Sequence, residues 1–206
     1  MIAKPKMYDG IQLSEDFIPI NLGGHKGIIM NVEEYTSPIS GNTSLKVCVD
    51  TSKDDIQPEY FMEQYRNDTR PDKKYSNSAI KYVSLKDDEN CVRMLKAFIT
   101  SVENSNNGFT YDWNKEVDQL KGKKVGLVFG LEEYTNNDGE TKTIVKLTQF
   151  RSIDKIDNVK IPKVKLLDGS FMEYEDYKNK KETSKTDKLK EMFGDIVEIN
   201  PDSLPF

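Results

Sequence analysis

The sequence predicts a mainly β chain with one main α-helix. The expected form is a five-stranded antiparallel barrel with a long insert after its second strand and a flexible C-terminal tail. Three observations predict it. Residues 43–52, TSLKVCVDTS, alternate Leu45, Val47 and Val49 with Ser44, Lys46, Cys48 and Asp50, the period of a half-buried strand. Residues 89–105 place Val92, Leu95, Phe98, Ile99 and Val102 on one helical stripe. After residue 158 the apolar periodicity largely stops and charged residues dominate.

In chain order, residues 1–24 are mixed and end Gly-rich, and 25–36 (HKGIIMNVEEYT) are β-rich. SPISGN is a turn, so 25–36 and 43–52 read as a long hairpin. Residues 53–78 hold no sustained period and carry Pro58 and Pro71; a loop this long inside a compact domain is usually functional or disordered. AIKYVSLK (79–86) resumes as a strand, and Asp87 or Asp88 caps the helix that follows. NNGF ends that helix, and DWNKEVDQLKG has room for one or two helical turns. Residues 123–135 form a strand, NNDGE a hairpin turn built on Asp-Gly, and 141–156 the partner strand. Three strands, a helix and two strands is the order of the OB-fold, an expected domain spanning 1–158 with its insert at about 53–78. Residues 159–206 are expected as the tail. Within it Leu189, Met192, Phe193 and Ile196 have helical spacing, and from Glu191 onward Glu191, Asp195, Glu198 and Asp202 meet no Lys or Arg.

Composition restricts function. The chain has 206 residues, 32% of them charged, and a mean hydropathy of -0.69. Thirty basic against 35 acidic residues give a net charge of -5, which argues against a simple wrapped polyanion binder and turns attention to where the charges lie. Cys48 and Cys91 sit in apolar segments without a Cys-x-x-Cys, as buried free thiols of a reducing cytoplasm do. No apolar run spans a membrane, and MIAKPKMYDG lacks the apolar core of a signal peptide, so a cytoplasmic protein is expected. His25 is the only histidine, which excludes mechanisms that need two; it reads as structural or exposed. No phosphate loop or nucleophile elbow occurs, and the glycines of NLGGHKG read as backbone flexibility. Three acid clusters remain: Asp54-Asp55, Asp87-Asp88-Glu89 and Glu132-Glu133. A metal nuclease needs acids converging from separate strands. The second cluster suits a helix N-terminus, and the third reads as solvated charge at a hairpin end. The expectation is therefore no enzyme, no metal and no cofactor.

The positive signal is in the insert and the strand after it. Residues 60–86 hold Arg66, Arg70, Lys73, Lys74, Lys81 and Lys86 against Glu63, Asp68 and Asp72, with Tyr60, Phe61, Tyr65, Tyr75 and Tyr82 interleaved. Unstacked bases and a phosphate chain are complemented by such a mixture of aromatic platforms and cations. Tyr60 and Phe61 are equally readable as anchors of the insert to the core; Tyr65, Tyr75 and Tyr82, embedded among charges, read as platforms. Lys46 and Lys146 extend the basic set on neighbouring strands. Phe150, on the parity of Lys146, reads either as part of an open binding face or as core, and Trp113 as a packing anchor.

Two resemblances sharpen this. YFMEQYRNDTRPDKKYSNSAIKYVSLKD, VRMLKAFITSVENSN and LKGKKVGLVFGLEEYTNNDGETKTIVKLTQFRSIDKI resemble a family of OB-fold single-stranded-DNA-binding proteins of phages and prophages of Gram-positive bacteria. The likeness runs from about residue 20 to 167 and ends with IPKVKLLDG. It implies a phage replication or recombination protein that coats single strands in the host cytoplasm. The ending Asp202-Ser203-Leu204-Pro205-Phe206 is similar to the acidic tip of bacterial single-stranded-DNA-binding proteins, with Ser203 where those tips usually carry an acid. That likeness implies that Asp202, Leu204, Pro205 and Phe206 recruit host or phage replication, recombination and repair proteins. The ring would fill an apolar pocket and the α-carboxylate would pair with a cation there. Self-association into a homo-oligomer is compatible with this reading. The rival readings are a small metal-dependent nuclease using Asp54 or Asp87, and an interaction protein that mimics the tip without binding DNA.

Overall fold

Strand β1 (Gly23–Thr36) and strand β2 (Thr43–Thr51) form the expected long hairpin. The computed structural model describes residues 18–193, and their side chains as far as residue 183. On β2, Leu45, Val47 and Val49 are buried as their alternation requires. On β1, His25, Gly27 and Ile29 face inward; a bulge between Ile29 and Asn31 then shifts the parity, and Val32 takes the inner face. Strand β3 (Ile80–Ser84) pairs with β2, strand β4 (Lys124–Thr135) with the first half of β1, and strand β5 (Thr141–Arg151) with β4, all antiparallel. Two short strands were not expected. β6 (Val164–Lys165) runs parallel to β4 through Glu132↔Lys165, on the edge that β1 leaves after Gly23↔Phe129, and β7 (Phe171–Met172) pairs with β6. The chain is thus mainly β: an open seven-stranded sheet and three helices. β3, at one end, touches β5, which branches off β4, but among the described residues no ladder joins them.

The insert is not structureless. Helix α1 (Tyr60–Asn67) has only eight residues, too few to be stable alone, and β2 supplies its anchor. The buried Asp50 carboxylate accepts Phe61 N at 2.9 Å and Met62 N at 3.2 Å, satisfying first-turn donors that have no partner within the helix. Thr51 Oγ1 accepts Tyr60 N at 2.9 Å and donates to Gln57 O at 2.5 Å. Phe61, 1% exposed, enters the core beside Phe129, ring centroids 5.6 Å apart. Glu59, at φ 46°, makes the left-handed turn into the helix. Helix α2 (Glu89–Ser105) starts at Asp88, whose side chain accepts Cys91 N at 3.0 Å. It buries Phe98, Ile99 and Val102, while Val92 is 46% exposed, so the apolar stripe begins later than its spacing implies. The 3₁₀ turn Val117–Leu120 provides the short helical segment before β4. Both cysteines are free, but each is half-buried rather than buried.

The chain does not leave the sheet at residue 158. After the 3₁₀ turn Ile153–Lys155 it folds back over the outer face of β4, where Val128, Ile156, Val164 and Tyr177 are buried apart from the main core. Glycines make the seat. A Cβ on Gly24 would lie 2.3 Å from Ile156 O, one on Gly126 2.4 Å from Ile156 Cγ2, and one on Gly130 3.1 Å from Pro162 Cβ. The glycine of NLGGHKG next to His25 is there for close approach, not flexibility. Glu132 and Glu133, expected as solvated charges, are the ties. Glu133 Oε1 accepts the Tyr177 hydroxyl at 2.9 Å, and Glu132 Oε1 accepts Lys165 Nζ at 2.7 Å. The Lys165 bond is the main reason the Glu132 carboxyl sits below its ordinary range. Helix α3 (Tyr174–Phe193) follows directly, so the expected tail is packed from 159 to at least Tyr177, and its helix begins well before the spacing of Leu189 suggested.

Candidate nucleic-acid interface

Directly opposed residues of antiparallel strands share one face. Glu33, Lys46 and Tyr82 make one such row across β1, β2 and β3, and Tyr35, Ser44 and Ser84 the next. This face points away from the core: Tyr35 is 37% and Tyr82 49% exposed, and their ring centroids lie 5.3 Å apart at an interplanar angle of 56°. The two rings flank a notch rimmed by Ser37, Ser40, Asn42, Ser44 and Ser84, all hydroxyls and an amide. The β1–β2 turn that supplies half of this rim is fixed by Ser37 N to Asn42 O (2.9 Å) and Gly41 N to Ser37 O (2.8 Å). It holds Ile39 out at 97% exposure. Lys46 Nζ donates to Glu33 Oε1 at 2.6 Å, a bond that raises the lysine pKa and keeps its charge beside the notch.

A second group lies farther along β2. β3 reaches only to Cys48, and the next carbonyl, Val49 O, accepts the Tyr75 hydroxyl at 2.7 Å. Val49 is three residues from Lys46, about 10 Å along the strand. The Tyr65 ring lies 6.1 Å from that of Tyr75, and Lys73 Nζ sits 4.7 Å over the Tyr65 ring. Arg66 and Lys74 are exposed, with no carboxylate within ion-pair distance among the described residues. The insert therefore offers one tyrosine already carrying a cation and two further free cations.

Other expected contacts are corrected by their surroundings. Phe150 is core: it is 7% exposed and packed against Phe98, centroids 4.5 Å apart and ring planes tilted by 43°. Tyr75 is half-buried, its phenol pushed far up by burial, and it serves as an anchor. Tyr60 packs edge-on against Phe61 at 4.9 Å and donates to Ile18 O at 2.9 Å, tying the insert to the segment before β1. Arg70 forks onto Asp68, whose carboxyl that bond holds down to about 2, so its charge is answered. Lys81 opposes Val47 and shares its inward parity; burial lowers its pKa, and its charged neighbours are Glu132 and Lys146. Lys146 is itself 3.4 Å from Glu132. These two lysines belong to the β3 and β5 ends of the sheet, not to the notch. Trp113, expected as an anchor, is 68% exposed and meets Tyr111 edge-on at 4.8 Å. Tyr35 and Ile39 escaped the sequence reading. Tyr35 becomes visible only once the SPISGN turn sets the register that brings it opposite Ser44 and beside Tyr82.

His25 is structural. It is buried at 1% exposure, with Nδ1 2.8 Å from Asp55 Oδ2 and Nε2 3.1 Å from Asn21 O. Asp54 takes the Ser52 hydroxyl at 2.5 Å, and Asp88 is the cap of α2. Among the described residues no three His, Cys, Asp or Glu side chains come together as a metal site, and no helix is long and apolar enough to cross a membrane. Asp202, Leu204, Pro205 and Phe206 lie outside the described residues. Neither a scan against protein-family models nor a search of curated proteins returns a match to this chain.

Proposed function

We propose that the chain binds single-stranded DNA without catalysis, holding bases on the exposed face of β1–β3 and phosphates on the cations around it. The observation that carries the reading is the Tyr35–Tyr82 pair: two exposed rings side by side on a sheet face, with Lys46, paired to Glu33, between their strands. A ring in that position offers its face to any base, and each base so stacked adds roughly 1–3 kcal/mol. Tyr65, Lys73, Arg66 and Lys74 carry the strand along the insert. Helix α2 lies between the third and fourth strands, and β3 approaches β5 without pairing with it, an arrangement compatible with the OB-type frame that such surfaces use. Together with the resemblance in sequence, this supports a phage or prophage protein that works in the bacterial cytoplasm and recruits replication, recombination and repair partners through Asp202–Phe206.

Titration of labelled oligo-dT and of duplex DNA at two salt concentrations tests the reading. The expected result is tight binding of the single strand and much weaker binding of the duplex. The affinity should fall with salt at about 0.7 log units per log unit for each phosphate neutralised. Equal affinity for duplex, or no binding to either, contradicts it; cleavage of the strand in magnesium supports the nuclease instead.

A further inference from the structure

We propose a second contact for the same strand, resting on the single-strand reading above, in the cleft between the outer face of β4–β5 and residues 158–163. Its apolar lining is Val128, which is buried, with Pro162 and Ile161, the last 36% exposed. Its rim is basic. Arg151 is exposed, and its guanidinium donates to the neutral Gln149 Oε1 at 2.9 Å and makes no ion pair among the described residues. Lys160 is exposed and makes no ion pair among the described residues. The one acid on the cleft among the described residues, Glu173, is taken by Lys163 at 2.7 Å. Two cations without an ion pair among the described residues therefore line the cleft together with its apolar residues and the amides of Gln149 and Asn158. That combination suits a nucleotide unit: phosphate oxygens on the fork of Arg151 and on Lys160, base or sugar against Ile161 and Pro162. The cleft is built before any ligand arrives, because Ile156 on Gly24 and Gly126 and the buried Val164 fix both ends of its outer wall, so little ordering is left for binding to supply. None of these residues belongs to the notch or the insert, so the cleft is a separate basic surface.

The test is the affinity and salt slope of the full chain for an oligo-dT of about 30 nucleotides, longer than any path over a chain this size, whose expected radius of gyration is about 17 Å. The double substitution Arg151→Gln, Lys160→Gln is compared with wild type. The expected result is about a tenfold weaker Kd and a slope of log K against log salt smaller by about 1.4, for two lost phosphate contacts. Melting should be unchanged, since both side chains are exposed; Lys160→Gln alone should give about half the change in slope. If wild type binds and the double variant keeps its affinity and slope, the cleft is not a strand contact and the single-strand reading stands without it. If wild type binds no strand, both fall. If the variant binds the strand as wild type does but no longer binds a synthetic NPDSLPF peptide, the cleft takes acidic peptide and the proposal is overturned.

Discussion

Asp50 and Asp55 are neighbours in sequence whose surroundings act on them in opposite directions. Burial pushes the Asp50 carboxyl up, more than its bonds from Phe61 N, Thr51 N and Met62 N pull it down. Burial also acts upward on Asp55, but there the bonds to His25, Gln57 N and Lys26 N win and hold it below its ordinary value. The signs follow by linkage. The unfolded chain protonates Asp55 first as pH falls, so its contribution is full above the ordinary Asp value of about 3.9 and is lost as pH drops through the lower folded value. Asp50 works the other way, since its raised value makes protonation favour the folded chain. Asp55→Asn should therefore lower stability at neutral pH and flatten the loss of stability below about pH 4, read as urea midpoints across pH. An unchanged acid limb would mean that the pair with His25 does not matter. Asp50→Ala strips the acceptor from two backbone donors at the start of α1 and from Thr51 N on β2, and a loss of about 2–4 kcal/mol in urea unfolding is expected. A loss near zero would show that water replaces the carboxylate and that α1 is not anchored through it.

At the scale of elements, what was legible in the sequence was what depends on one face and nearby residues. The alternation of β2 has one buried face, and α2 carries its own cap at Asp88, so both read correctly. Helix α1 did not, because the group that caps it lies back on β2 and reaches it only through the fold. The packing of residues 153–177 did not, because its seat is three glycines on two strands, Gly24, Gly126 and Gly130, that become adjacent only when β1 pairs with β4. A trace was present: VGLVFG in β4 is apolar on both parities, the mark of a strand covered on both faces. The candidate site divides the same way. Tyr82 and Lys46 stood out as an aromatic and a cation among polar residues, whereas Tyr35 needed register and Phe150 needed its partner Phe98. Gly24→Ala and Gly126→Ala should each cost about 1–3 kcal/mol and should first expose residues 158–163 to hydrogen exchange, ahead of the main core. Gly130→Ala, with its nearest contacts at 3.0–3.1 Å on side-chain atoms, should cost less. Equal effects at all three sites would show that close approach to Ile156 is not what holds the segment.

Over the whole molecule, charge and rings are sorted in space. Arg66, Lys74, Arg151 and Lys160 are among the exposed cations without an ion pair among the described residues, while Glu132, Glu133, Asp50 and Asp55 are spent on holding segments together. The proposed partner-recruiting role of the last five residues makes its own prediction. Deleting Asp202–Phe206, or changing Phe206→Ala, should leave melting unchanged and abolish capture of replication and repair proteins; an undiminished capture would remove the tip from the proposal. Strand binding should hold or rise slightly on the same deletion at low ionic strength, where acidic residues compete with phosphate over a Debye length of about 30 Å. The central claim is that bases rest on Tyr35 and Tyr82, and the most direct measurement is the Kd of oligo-dT for Tyr35→Ala and Tyr82→Ala beside wild type, with melting recorded for each. Each substitution should weaken binding by roughly 1–3 kcal/mol, about 5- to 150-fold, while the protein melts as wild type does. Wild-type affinity in both folded variants would contradict the claim and move the strand off this face of the sheet.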